Sequence, residues 1–291
     1  MDIRALRYFL AVAHEENITK AADYLHVTQP TLSRKLMTLE DEFGKQLFIR
    51  GKRRVTLTQD GILFRKRATE IVDLVDKTEA EMKEEREIAG DIFLAAGETD
   101  VIRSIAEVAN ELCEEHQGIR LRLFSGDGDY VRDHLDKGLA DFGLLFGPVD
   151  QLKYNLLPLN KYDRWGVLMP DDCDLAQNET IKPADLQNRR LILSQQALDG
   201  GFLQAWLNRE LSDLNVSATY TLILNAAKMT AGGLGIAMVI DGLINTKDSG
   251  LVFRPLDPPL EASMSLIWKK YQVFTPAAEA FLTALQEAFE A

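Results

Sequence analysis

Three residues, His26-Val27-Thr28, are all that separates two segments of helical apolar spacing near the start of this chain. That is the length of the turn in a helix-turn-helix, and it dictates how the neighbouring helices can pack. Ahead of the turn, Leu6, Phe9, Leu10 and Ala13 fall at i, i+3, i+4 and i+7, one face of a helix over about 3–14. Thr19 is placed to cap a short second helix with Ala22 and Leu25 facing inward. Thr28 is placed to cap a third, and Pro30 is tolerated there because first-turn amides have no intrahelical partner. The third helix runs to about Phe43 along the stripe Leu32, Leu36, Leu39, Phe43, with Gly44 where a left-handed C′ residue belongs.

Burying that stripe turns Gln29, Pro30, Thr31, Arg34, Lys35 and Thr38 outward. Polar donors and positive charge at a helix N-terminus suit the end that enters a major groove in this motif. A short strand, 47–50, a basic tip, Gly51-Lys52-Arg53-Arg54, and a second strand, 55–58, then predict a hairpin wing placed to meet phosphates. Gln29, Thr31, Ser33 and Arg34 are the groove-facing candidates: Arg34 has the fork for guanine, Gln29 the amide for adenine, and Ser33 also suits a phosphate. Lys35, Arg50, Lys52, Arg53 and Arg54 supply sequence-independent attraction, and Thr19, Thr28, Pro30 and Thr38 complete the candidate DNA-binding set. A plain three-helix bundle with a solvated basic face is the alternative. Agreement of caps, turn length, exposed face and wing favours the DNA reader.

Net charge argues the other way until it is divided. The 291 residues sum to −12, a poor omen for nucleic acid. Residues 1–67, however, hold thirteen Lys/Arg against eight Asp/Glu, a surplus of five, while the remainder holds twenty against thirty-seven, a deficit of seventeen. A basic head on an acidic body suggests two jobs.

Between them, 58–89 has no Pro and no Gly after Gly61. Phe64, Ala68, Ile71, Val75, Thr78 and Met82 repeat at 4, 3, 4, 3, 4 with charged flanks, including the i, i+4 pair Lys77 and Glu81, the spacing of a coiled-coil seam. Packing on the head itself and pairing with a second copy both satisfy it.

Beyond Gly90, apolar strand-like runs (91–96, 120–125, 141–146, 166–169, 190–193, 218–224, 236–240) alternate with helical stretches (101–116, 130–138, 201–214, 225–231). Alternation of this kind predicts α/β units with mainly parallel strands, as one large sheet or two lobes. Ligands of such sheets bind beyond the carboxyl ends of strands, near helix N-termini. Those places are Gly97-Glu98-Thr99-Asp100, Ser125-Gly126-Asp127, Phe146-Gly147-Pro148, Ser194-Gln195-Gln196 and Asn225. Glu98, Asp100 and Asp127 put acids where helix dipoles favour anions, so an amine or hydroxyl ligand is expected over a bare carboxylate.

The remaining motif-like runs are each incomplete. Gly232-Gly233-Leu234-Gly235 lacks the third glycine of a dinucleotide loop, and Asp127-Gly128-Asp129 lacks the later ligands of a calcium loop. His14, His26, His116 and His134 show no metal-ligand spacing with one another or with Cys113 and Cys173, and no triad context is present. No metal, cofactor or enzymatic activity is therefore expected. Cys113 reads as a packing residue; Cys173, exposed among acids, has a raised thiol pKa and low reactivity. Without a bilayer-length apolar run or a signal layout, a cytoplasmic protein without membrane contact is expected. A solute-binding or enzymatic body with an appended helical domain stays open as a second reading.

The run from Thr19 to Arg50, TKAADYLHVTQPTLSRKLMTLEDEFGKQLFIR, resembles the signature of LysR-type transcriptional regulators, AA-x-x-L-x-V-[ST]-Q-P-[AST]-[LV]-S-[RK] followed by LE-x-x-[LF]-G-x-x-LF-x-R, and continues into VTLTQDG ending at Gly61. The match is long and gap-free. Asn17 departs from a common Ser, and the wing is shorter than some. The resemblance implies an N-terminal all-α winged helix-turn-helix and a C-terminal two-lobed α/β domain of the periplasmic-binding-protein type II kind. On that frame 1–58 is the DNA-binding domain, 59–89 a dimerising linker helix carrying the seam above, and 90–291 the regulatory domain. Lobe I takes about 90–161 and 267–291 and lobe II about 162–266, with crossings near 159–162 and 264–266 and the last helix returning to lobe I. The resemblance also implies promoter DNA, a small-molecule effector and RNA polymerase as partners, and a homodimer or homotetramer. By topology, Thr99, Asp100, Ser125, Gly126, Asp127, Phe146, Gly147, Ser194, Gln195 and Asn225 become effector-binding candidates.

Overall fold

The computed structural model describes residues 2–51, 54–81, 88–199, 201–208 and 213–290, and the chain forms two compact units, Met1–Lys83 and Glu84–Ala291. The first holds α1 (Ile3–Glu15), α2 (Ile18–Tyr24), α3 (Gln29–Phe43), the strands β1 (Phe48–Arg50) and β2 (Val55–Leu57), and α4 (Gln59–Glu81). Its core gathers Leu6, Phe9 and Val12 of α1, Ala21 and Ala22 of α2, Leu32, Leu36 and Leu39 of α3, and Ala68 and Val72 of α4. Each buried leucine contributes roughly 1.5–3 kcal/mol.

The caps differ from expectation in detail. Asn17, not Thr19, starts α2: its side-chain oxygen accepts from the Thr19 and Lys20 amides at 2.9 and 3.1 Å. The helix therefore begins two residues earlier and leaves Thr19 on the exposed surface. Thr28 does precede α3, but its hydroxyl pairs with that of Thr31 at 2.8 Å instead of a backbone amide. Gly44 takes the left-handed conformation (φ +60°) that ends α3. Phe43 leaves the predicted inward stripe. It is 47% exposed, its ring edge-on to Phe64 at 5.3 Å, because α3 has by then passed the end of the core.

The wing is an antiparallel pair with Phe48 opposite Leu57 and Arg50 opposite Val55. Phe48 and Val55 turn into the core, and the Val55 amide donates to the Glu16 carbonyl at 2.8 Å. The hairpin is thus tied to the α1–α2 corner. At its far end the Thr58 hydroxyl donates to the Gln46 carbonyl at 2.7 Å and accepts from the Gly61 amide at 2.9 Å, capping α4.

The second unit begins with β3 (Gly90–Ala96), α5 (Ile102–Glu115), β4 (Ile119–Ser125), α6 (Gly128–Asp136) and β5 (Phe142–Phe146). A seventeen-residue strand, β6 (Tyr154–Pro170), leads into β7 (Leu191–Ser194), α7 (Gln195–Asp199), α8 (Phe202–Leu207), β8 (Val216–Tyr220), α9 (Ile223–Ala231) and β9 (Ile236–Ile240). The chain closes with β10 (Leu251–Pro255), β11 (Glu261–Lys269) and α10 (Pro276–Glu290). Lobe I has the strand order β4-β3-β5-β11-β6, and lobe II β10-β6-β9-β7-β8. β3, β4 and β5 run parallel, as do β7, β8 and β9, while β6, β10 and β11 are antiparallel to their neighbours.

Side-chain alternation along the strands divides each lobe into two packed layers. In lobe I, Leu94 and Ala96 meet α5 and α10, while Ala95 meets Val131 and Leu135 of α6. In lobe II, Trp165, Val167 and Met169 pack with α7 and α8, while Leu168 faces α9. The chain crosses between lobes within β6 and β11. Leu157 and Leu159 lie in the core of lobe I and Trp165 in that of lobe II; on the return Ala262 still belongs to lobe II and Met264 already to lobe I. The second crossing thus falls between Ala262 and Met264, at a shift in the β6–β11 register, earlier than the expected 264–266.

Candidate nucleic-acid interface and inter-lobe cleft

Within the first unit, Gln29, Pro30, Thr31, Arg34, Lys35 and Thr38 all lie exposed on one face of α3, with Thr28 at its foot; Ser33 is half-buried. The guanidinium of Arg34 makes no ion pair among the described residues, so its fork is open to solvent. Lys35 lies 3.8 Å from Asp2, a loose exposed pair. Glu40, on the same helix, organises the wing: one carboxylate oxygen accepts from the Leu47 and Phe48 amides at 2.9 and 3.1 Å, the other from Arg50 at 3.1 Å. Arg54 pairs with Glu16. Both arginines are thus held by carboxylates of their own chain, in exposed pairs worth about 0–1 kcal/mol that a phosphate can replace. Lys52 and Arg53 lie outside the described residues.

On α4 the heptad seam divides. Phe64 packs on Phe9 and Phe43, with ring centroids 4.8 and 5.3 Å away, and Ala68 is fully buried, so both are spent inside the head. Ile71 and Thr78 are exposed and Val75 half-buried; Met82 lies outside the described residues. Leu74, absent from the heptad reading, is 42% exposed beside Ile71 and Thr78. Lys77, one of the charged residues flanking the seam, is buried.

In the second unit the strand ends of both lobes converge on one cleft. β3 and β5 lie at the point where strand order reverses in lobe I, β7 and β9 at the corresponding point in lobe II, the positions where doubly wound sheets open a crevice. An outer chamber of about 340 Å³ is bounded by Asp127, Gly128, Asp129 and Arg132 from lobe I, by Gln196 and Phe202 from lobe II, and by residues 260–263 of the second crossing. Phe146, Gly147 and Pro148 line it too. A smaller inner space of about 40 Å³ shares Gly128, Phe146 and Gln196 and reaches Gly97, Glu98, Gly126, Trp165, Ser194 and Tyr220.

Of the expected ligand residues, Gly126, Asp127, Phe146, Gly147 and Ser194 line this space. Thr99, Asp100, Ser125, Gln195 and Asn225 do not. Thr99 is buried and accepts from the Val101 amide at 3.0 Å; Asp100 pairs with Arg103 at 3.2 Å; Asn225 is exposed on α9, past its first residue. Sequence reasoning missed Arg132, Trp165, Phe202 and the 260–263 segment, which reach the cleft sideways from helices and crossing strands.

The chain's own side chains occupy the helix starts around the cleft. The carboxylate of Glu98 reaches from lobe I to accept the Ile223 amide at the start of α9 in lobe II. Asp127 accepts from the Tyr130 amide at 2.9 Å at the start of α6, and Ser194 from Ala197 at 3.4 Å in α7. Phe146 of lobe I meets Trp165 and Phe202 of lobe II edge-on, at 6.3 and 5.6 Å between centroids. The indole nitrogen of Trp165, in a residue 1% exposed, has no hydrogen-bond partner among the described residues. At the first crossing, burial pushes the Asp163 carboxyl up to about 6 despite hydrogen bonds from the Thr99 hydroxyl and the Asp100 amide, and one of its oxygens has no partner among the described residues. Burial, with the charge of Glu98, raises the Tyr220 phenol.

Cys113 and Cys173 are half-buried free thiols, and burial first, then Asp174, pushes Cys173 up, which keeps it a poor nucleophile. Gly232 and Gly233 form a turn into β9, not a phosphate cradle. Among the described residues no His, Cys, Asp and Glu groups are placed to hold a metal, and no helix is long and apolar enough to cross a membrane.

Comparison with known proteins matches both units. The model for the bacterial regulatory helix-turn-helix protein, lysR family, covers residues 3–62, and that for the LysR substrate binding domain covers 85–290. The chain is 28% identical to the Hca operon transcriptional activator HcaR of Escherichia coli (strain K12) over 297 aligned positions, covering 99% of this chain and 98% of that protein. It is 32% identical over 198 positions to the HTH-type transcriptional regulator BsdA of Bacillus subtilis (strain 168), covering 66% and 67% of the two. In fold it is similar to the crystal structure of CbnR, a LysR family transcriptional regulator, with a TM-score of 0.77 at 18% identity and full coverage of both chains. CbnR complexed with its target DNA gives 0.75 at 20%, covering 99% of this chain and all of the other.

Proposed function

This chain belongs to the LysR family of transcriptional regulators, and from that premise we propose how its residues divide the work of reading promoter DNA and sensing a small molecule. The DNA-binding domain is 1–58, the linker 59–89, of which Gln59–Glu81 is the helix α4 and 82–87 lie outside the described residues, and the regulatory domain 90–291. The N-terminal half of α3 enters the major groove, with Gln29, Thr31, Ser33 and Arg34 toward base edges. Lys35, Arg50, Lys52, Arg53 and Arg54 face phosphates, supported by Thr19, Thr28, Pro30 and Thr38. The observation that carries this reading is the division of α3 itself: Leu32, Leu36 and Leu39 are buried while Gln29, Thr31 and Arg34 stand exposed at its N-terminal end.

Two such heads are needed to read a pseudo-palindrome, and the exposed row Ile71, Leu74 and Thr78 on α4 supports pairing with a second copy. The cleft of the regulatory domain is the effector site, and its closure changes the angle between lobes by favouring one of two arrangements. Contact with RNA polymerase and a cytoplasmic setting complete the proposal. The test is gel retardation of the DNA upstream of the chain's own gene at two salt concentrations. Retardation that weakens steeply with salt is expected, and no binding at low salt overturns the reading.

A further inference from the structure

We propose that the cleft takes an organic cation, an amine on an apolar or aromatic body, and that Glu98 sets this specificity by filling the cleft's anion position from within the chain. The proposal rests on the reading of the cleft as the effector site. Helix N-termini are the natural seats for a ligand carboxylate, because free amides and the helix dipole both point at it. Here those seats are taken: Glu98 holds the Ile223 amide of α9 across the cleft, and Asp127 holds the Tyr130 amide of α6. An incoming carboxylate would have to expel one carboxylate to install another, with no gain in hydrogen bonds and with repulsion from the group displaced.

The walls repeat the preference. Among the chamber's described lining residues three carboxylates, Asp127, Asp129 and Glu261, outnumber the basic Arg132, which meets Asp129 at 2.7 Å in an exposed pair, so the net charge of the walls stays negative. Phe146 and Phe202 bring aromatic rings to the same chamber, and such rings attract a desolvated ammonium through their π faces. Trp165, which lines the inner space, has a buried indole N–H without a partner among the described residues. A donor left unpaired at that depth calls for an acceptor on the ligand, such as a hydroxyl at the end away from the amine.

The experiment is thermal denaturation of the full-length protein with matched probes, tyramine against 4-hydroxyphenylacetate and benzylamine against benzoate, at constant ionic strength. In the native protein the amines are expected to raise the midpoint at concentrations at least tenfold below those their carboxylate partners need. In Glu98→Ala the vacated α9 terminus should admit the carboxylates, so that the tenfold preference disappears. Glu98→Gln keeps an oxygen for the Ile223 amide; it should weaken the amine response without gaining the carboxylate one, and it serves should the alanine variant fail to fold. Equal response to both classes, no response to either, or an unaltered preference in both Glu98 variants overturns the assignment of ligand class. Ser263→Trp, which fills the outer chamber, separates the two levels. An amine shift that survives it overturns the cleft reading, whereas a carboxylate shift that it abolishes overturns only the amine.

Discussion

At position 61 any side chain collides with the backbone: a Cβ there would sit 2.1 Å from the Leu47 carbonyl oxygen and 3.1 Å from the Leu57 side chain. The glycine lets α4 start flush against the wing, where Thr58 caps it. Gly61→Ala should therefore force the two apart, costing about 1–3 kcal/mol and lowering the thermal midpoint, although alanine is the better helix former. At the DNA face the arginines should separate by role. Arg34→Ala is expected to relax base preference at one operator position, at about 1–3 kcal/mol, visible as a flattened column in a selection of binding sites. Arg54→Ala should weaken all DNA alike and reduce the salt slope by about one. Uniform weakening by both would reject the groove assignment of Arg34. The α3 face was readable because exposed and buried residues alternate with the helical period. Glu40 was not: a carboxylate that accepts two strand amides has the same local pattern as any surface glutamate.

At the scale of elements, α4 shows where periodicity misleads. A 4–3 repeat marks a stripe but not what covers it, and here Phe64 and Ala68 are covered by the head while the stripe emerges only further along. Leu74→Asp should convert the proposed dimer to monomer in sedimentation while leaving the helical circular dichroism intact. Ala68→Asp should instead unfold the head by burying a charge. A dimer that withstands Leu74→Asp would place the pairing surface elsewhere. The parallel strands β3, β5, β7 and β9 were legible as apolar runs between turns. β10, β11 and the first half of β6 were not. The burial of β6 alternates up to the crossing and becomes continuous beyond it, because the strand leaves one sheet for another, and no single period describes both halves. The same crossings bring 260–263 to the cleft, so that part of the site exists only once the lobes are assembled.

Across the whole regulatory domain, Asp163 couples the crossing to pH. Its folded pKa of about 6 lies above the 3.8 of an unperturbed aspartate, so between those values the folded chain binds a proton that the unfolded chain releases. The contribution to stability is full below about pH 4 and is lost as pH rises through 6, about 2–3 kcal/mol in all. Urea denaturation at pH 5 and 7.5 should show it as a fall in stability that Asp163→Asn removes; an unchanged difference between the two pH values would refute it.

β6 and β11 each contribute residues to the cores of both lobes, so the two cores are threaded on shared strands. Lobes joined in this way can tilt, since a strand twists cheaply, but neither can melt alone without leaving half of a strand unpaired. Denaturation of the regulatory domain should accordingly be one cooperative event, with slow amide exchange running unbroken along β6 from one lobe into the other. Two hydrophobic cores would then report a single free energy, and a destabilising change in either would be felt equally by both.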